Sequence, residues 1–133
     1  MNVPTESVYL HEARAGSRHV NGAIEALQRG DFDLAVTLAA AAARVLSGSP
    51  EPYLRSLLDA AMPSNYGPGD GPAECGKPKE LTWLVSRDEA AREIMRAVAK
   101  LPVWSPEAGQ FVHWFFETYL RTAAAKNDST ALA

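Results

Sequence analysis

Apolar residues recur along much of this chain at spacings of three and four, the period of an α-helix with one buried face, while the apolar patch LTWLV, 81–85, is too short to classify. Thr5 precedes the first helical run, which is predicted to reach about Arg29, with the stripe Tyr9, Ala13, Gly16, Val20, Ala23 and Leu27 facing a core. A glycine inside a helix costs about 1 kcal/mol relative to alanine, so Gly16, lying in that stripe, is expected to let another backbone come close; Gly22 has no such reason. Gly30 fits the position just past a helix end, and Asp31 is placed to cap the next helix, so the two should fold back antiparallel. In the second run, Asp31 to Leu46, alanines fill Ala39 to Ala43 and leave almost no polar side. A helix apolar nearly all round is buried on more than one face, which makes this the expected centre of the molecule.

Three further helices are predicted from their start signals. Ser49-Pro50-Glu51 opens one, with proline at the tolerated first position, running through Leu54, Leu57, Leu58 and Ala61 to Met62. Ser86-Arg87-Asp88-Glu89 is a capping-box pattern opening a helix whose core face is Ala91, Ile94, Val98 and Leu101, and Pro102 stops it. Ser105-Pro106-Glu107 opens the last, which carries Phe111, Val112, Trp114, Phe115, Phe116 and Tyr119 before a tail, 126–133, expected to fray. Between the third and fourth, residues 63–80 hold four glycines and four prolines among 18 residues, a long loop. The chain therefore reads as one all-α domain, 1–133, an up-and-down bundle of four to five helices with one long Pro/Gly-rich loop.

Composition narrows the function by exclusion. With 13 Lys and Arg against 16 Asp and Glu, the net charge of -3 provides no global field for a phosphate backbone, so nucleic acid is not the expected partner. A lone cysteine, Cys75, makes no internal disulfide and fits a reducing cytoplasm. The longest uncharged run, around Leu34 to Ala43, is about half of the roughly 20 residues that a bilayer crossing needs. His11, His19 and His113 form no metal-ligand spacing, no serine sits in G-x-S-x-G, and the glycines 67–71 lack the strand and the Lys-Ser or Lys-Thr of a phosphate loop. No metal, cofactor or catalytic residue is expected from these patterns, and the reading leans away from an enzyme.

What remains are two candidate surfaces. Opposite its apolar stripe the first helix carries His11, Arg14, Arg18, Asn21, Glu25 and Gln28, a solvated face in the plain reading. His11, Arg14 and Arg18 also project together and have the chemistry to grip an anion such as a nucleotide phosphate. Asn65 and Tyr66 in the long loop are candidates to line a ligand pocket, against the simpler reading of turn chemistry. The last helix has more aromatics than one core face needs: either it is buried on two sides, or part of it forms a dimer contact, with Phe111, Trp114, Phe115 and Tyr119 the candidate surface of a homodimer. His113, Glu117 and Arg121, four apart, have the spacing of a histidine held by a carboxylate, or of a surface ion pair.

From Arg18 the stretch RHVNGAIEALQRGDFDLAVTLAAAAARVL resembles the first helical hairpin of HEPN-like domains in uncharacterised bacterial proteins. Asn21-Gly22-Ala23-Ile24, the break Gly30-Asp31 and Ala39 to Ala43 carry the likeness, over less than a quarter of the chain. The resemblance implies a four- or five-helix bundle, often dimeric, in a family that includes ribonucleases of toxin-antitoxin systems beside members that bind nucleotides or partner proteins. Its ribonucleases carry Arg-x4-6-His at the start of a late helix. Here that spacing occurs as Arg14 to His19 in the first helix, and late in the chain His113 precedes Arg121, so no catalytic residue is carried over. Gly-Asp-Phe followed by an alanine-rich helix is also similar to one tetratricopeptide hairpin, a unit that needs neighbours to form an array. The expected function is that of a non-catalytic helical domain binding a nucleotide, another small anionic ligand or a protein partner, with a HEPN-type ribonuclease as the alternative.

Overall fold

The structure, a computed structural model, describes residues 1–62 and 84–121. The 63–80 loop with Asn65, Tyr66 and Cys75, and the 126–133 tail, lie outside the described residues. The fold is an all-α bundle, with five helices among the described residues: α1 (Glu12–Arg29), α2 (Phe32–Val45), α3 (Pro52–Ala61), α4 (Arg87–Val98) and α5 (Pro106–Phe115), the last continued by a π-helical turn, Phe116–Leu120.

The α1–α2 hairpin turns on Gly30, whose φ of 83° lies where only glycine is unstrained. Its amide donates to the Leu27 carbonyl (3.1 Å) and that of Asp31 to the Ala26 carbonyl (2.9 Å), a Schellman closure that satisfies carbonyls a helix end leaves open. Asp31 does not cap α2 with its side chain as expected. With its amide drawn back to Ala26 its ψ is 68°, short of the extended cap conformation, and the carboxylate lies instead 3.4 Å from Arg29 Nε.

Helix α1 begins at Glu12, six residues later than a start just after Thr5 predicts. His11 is its cap, and residues 1–10 are exposed, Tyr9 fully so. The physical reason lies on the neighbouring helix. Leu46, at the end of α2, is the side chain a Cβ on Gly16 would meet, and Ser47 Oγ donates to Glu12 Oε1 at 2.7 Å. Beyond that point α1 has no partner for its stripe, and helices of this length depend on tertiary burial. Gly16 thus admits a side chain, Leu46, rather than a backbone, whereas a Cβ on Gly22 would stand 3.3 Å from Leu38 Cδ1, a side-chain end that can yield.

Ala35, Ala39 and Ala42 of α2 are fully buried, and the helix packs between α1 and α4. The centre of the molecule is nevertheless α4, which touches α1, α2, α3 and α5 and buries Ala90, Ala91, Ile94, Met95, Ala97 and Val98. The alanines of α2 permit close approach on one side, whereas Leu34 and Val45 face solvent on the other. Helix α3 starts at Pro52 rather than Pro50 because the Glu51 amide is held by the Ala99 carbonyl (2.8 Å) while its carboxylate caps Leu54 N (2.8 Å). Ser86 and Ser105 cap α4 and α5 as their positions predict, each accepting from an amide three residues on at 3.1 Å.

Candidate functional site

The polar face of α1 divides in two. At its start, His11 Nδ1 accepts the Ala13 amide (3.1 Å), so the ring is committed to capping the helix. Arg14 and Arg18 are exposed, and the shallow hollow beside Arg18 is bounded by Leu10, Ala15, His19 and Leu38, without His11 or Arg14. Among the described residues this hollow therefore does not gather His11 and Arg14 with Arg18. His19 Nδ1 lies 2.7 Å from the Ala15 carbonyl, tied to its own helix.

The other half of that face, Asn21, Glu25 and Gln28, borders a groove of about 790 Å³ between α1 and α5. On the α5 side Glu107, Gln110, Phe111 and Trp114 contribute, at offsets of 0, 3, 4 and 7 that place all four on one helical face. Ile24, Leu27 and Phe32 line its apolar floor, and Arg87, the first residue of α4, closes one end. Ser105 locks the two walls, its hydroxyl donating to Asn21 Oδ1 at 2.7 Å while accepting the Ala108 amide. Arg29 and Arg87 balance Glu25 and Glu107, so the lining carries no net charge.

Aromatic rings stabilise the Arg87 end. The Phe111 and Trp114 centroids are 5.8 Å apart, and Tyr119 stands edge-on to Trp114 at 5.9 Å. The Arg87 guanidinium sits 5.9 Å from the Trp114 centroid and 5.8 Å from that of Tyr119, within cation–π range of both. Tyr119 donates to Asp88 Oδ1 at 2.5 Å. Burial first, and then the Asp88 carboxylate, push its pKa up to about 12, because both disfavour the phenolate. The π-helical turn places Tyr119 here. One extra residue in the turn rotates the chain beyond Phe115 relative to a continuous α-helix, a distortion that often accompanies functional sites.

Of the aromatic residues predicted to face a partner, Phe111 and Phe115 belong to the core, 4% and 0% exposed, and Trp114 and Tyr119 are half-buried. Phe116, at 47%, is the one the last helix exposes. This corrects the reading of Phe111 and Phe115 as interface residues: their rings complete the core against α1 and α4. The carboxylate of Glu117 is taken by Arg121 (2.7 Å), which holds it below the usual carboxylate range; that pair is a surface ion pair. Among the described residues no group of three or more His, Cys, Asp and Glu stands together to hold a metal, and no helix is long and apolar enough to cross a membrane.

Arg87, Glu107 and Gln110 were not singled out by sequence pattern as site residues. The signal was present in α5, where polar and aromatic residues share a stripe that a purely structural helix would keep apolar. Comparison with protein-family models, curated protein sequences and solved structures found no match to this chain.

Proposed function

We propose that this chain is a non-catalytic binding domain whose groove between α1 and α5 takes a small organic ligand with a planar apolar body and a hydrogen-bonding edge. The observation that carries this reading is the Trp114 ring lining the groove with Arg87 packed over it. The volume of about 790 Å³ is on the scale of small-molecule sites, which combine apolar walls with a few convergent polar groups. Phe111 and Trp114 supply the stacking surface, and the amides of Asn21, Gln28 and Gln110 supply donors and acceptors without charge. Balanced lining charges favour a neutral or zwitterionic ligand over a strong anion.

The test is a nitrogen-detected NMR screen of planar aromatic amides. Binders should shift the Trp114 indole and the Gln28 and Gln110 side-chain amides, and Gln110→Arg, filling the groove mouth, should weaken them at least tenfold. If binders shift residues away from the groove, or ignore Gln110→Arg, the assignment is wrong.

The antiparallel α1–α2 hairpin supports kinship with HEPN-like domains as part of this proposal. The RNA cleavage known in that family draws no support from the geometry. Arg14 and His19 lie roughly 140° apart around α1, at about 100° per residue, and His19 is bonded to its own backbone. A homodimer is also proposed, centred on Phe116, whose exposed ring is the kind of surface that association buries.

A further inference from the structure

A second cleft, of about 400 Å³, lies where α3 crosses the end of α4, and it differs in charge from the groove. Arg55 of α3, Arg96 of α4 and Lys100 just beyond α4 line it, against one acid, Asp59. The lining has a net charge of +2 (three cations less one carboxylate) in a protein whose total is -3. We propose that this cleft binds a phosphate-bearing small molecule, a phosphomonoester dianion attached to an apolar body.

Pairing within the fold takes up only part of this charge. Asp59 lies one helical turn from Arg55, a spacing that permits a pair, yet no ion pair joins them among the described residues. Arg96 meets Glu93 at 3.2 Å, but the Arg96 side chain is exposed and Glu93 only partly buried, and such a surface pair is weakly held. Lys100 donates one proton to the Ala43 carbonyl at 2.6 Å, near the negative end of α2, which fixes its ammonium and leaves two donors. Convergence of like charges is unfavourable until an anion joins them. A dianion is the natural complement, since guanidinium groups match phosphate oxygens with paired donors and an ammonium adds a point charge.

The cleft also has an apolar side, formed by Leu58 and Ala99. It is held rigid by the Glu51 amide donating to the Ala99 carbonyl at 2.8 Å, which pins the start of α3 to the end of α4. A bare inorganic ion would leave this surface unused. An organic phosphate would cover it, which is why the proposal names a phosphorylated molecule and not phosphate alone. Sequence pattern alone suggested an anion grip on His11, Arg14 and Arg18. The fold assembles its cations elsewhere, from positions 41 and 45 residues apart in the chain (Arg55 to Arg96 and Arg55 to Lys100).

The test titrates the full chain with phenyl phosphate, inorganic phosphate and phenol, monitored by calorimetry and by amide NMR. Phenyl phosphate is expected to bind, shifting the amides of Arg55, Arg96 and Lys100, with affinity falling as salt is raised. Inorganic phosphate should bind the same residues more weakly, and phenol should not bind there. Arg55→Gln and Arg96→Gln, both on exposed side chains, should each weaken phenyl phosphate about tenfold while Arg14→Gln changes nothing. Failure of phenyl phosphate to shift these amides, equal binding of phenol, or indifference to both substitutions would overturn the proposal. Shifts at Trp114 report the groove separately, so the two sites stand or fall independently.

Discussion

Two glycines of α1 show how a single methyl group is weighed. A Cβ on Gly16 would lie 2.7 Å from Cγ of Leu46, which is buried, whereas one on Gly22 would lie 3.3 Å from the terminal methyl of half-buried Leu38. Helix propensity favours alanine by about 1 kcal/mol at either site. Overpacking costs about 1–3 kcal/mol where the neighbour cannot yield. Gly16→Ala should therefore destabilise by about 1 kcal/mol and Gly22→Ala should be neutral or slightly stabilising, as read by urea denaturation. Leu46→Ala should convert Gly16→Ala into a stabilising change, and additivity in that cycle would show that the contact is not responsible. Tyr119 gives a second prediction. Its folded pKa of about 12 lies above the ordinary value of 10, so its contribution to stability is complete below pH 10 and is lost as pH rises through about 12. Ultraviolet titration should show one phenol ionising late, and that late step should vanish in Tyr119→Phe; if it persists, the environment assigned to this ring is wrong. The periodicity of α1 pointed to Gly16 as a packing position, but its partner was beyond reach because Leu46 is thirty residues away.

The elements differ in how their caps connect to the rest of the fold. Ser86 satisfies only the start of α4, while Ser105 caps α5 and also holds Asn21 of α1. Loss of a serine cap costs about 1 kcal/mol. Ser86→Ala should show about that cost in thermal unfolding. Ser105→Ala should cost about 1 kcal/mol more because it also removes a half-buried hydrogen bond between helices, and it should loosen the groove, seen as faster amide exchange in α5. Equal costs for the two would mean that the Ser105–Asn21 bond contributes nothing. Start signals were legible as sequence because capping is local: a hydroxyl and an amide three residues on. The start of α1 was not, because the apolar pattern continued past the point where α2 ends and burial stops.

At the scale of the molecule the exposed surface decides association. Phe111 and Phe115 complete the core, so on the last helix the homodimer proposed for this chain is assigned to Phe116 with the half-buried edges of its neighbours. Sedimentation velocity should find a dimer, and Phe116→Ser should release monomers that retain the native helical circular dichroism. A wild-type chain that stays monomeric at high concentration would remove the dimer. The groove and the cationic cleft are independent of that outcome, since neither is lined by Phe116.

The all-helical class, the turn at Gly30 and the core positions Ala91, Ile94, Val98 and Leu101 in and just after α4 were determined by sequence alone, because each depends on contacts within a few residues or on a period of 3.6. Which helix became the hub, where α1 starts, which aromatics went inside and which polar residues gathered into clefts were decided only by the tertiary structure. Those outcomes depend on pairs such as Gly16 with Leu46, Asn21 with Ser105 and Arg55 with Lys100, whose proximity no local pattern encodes.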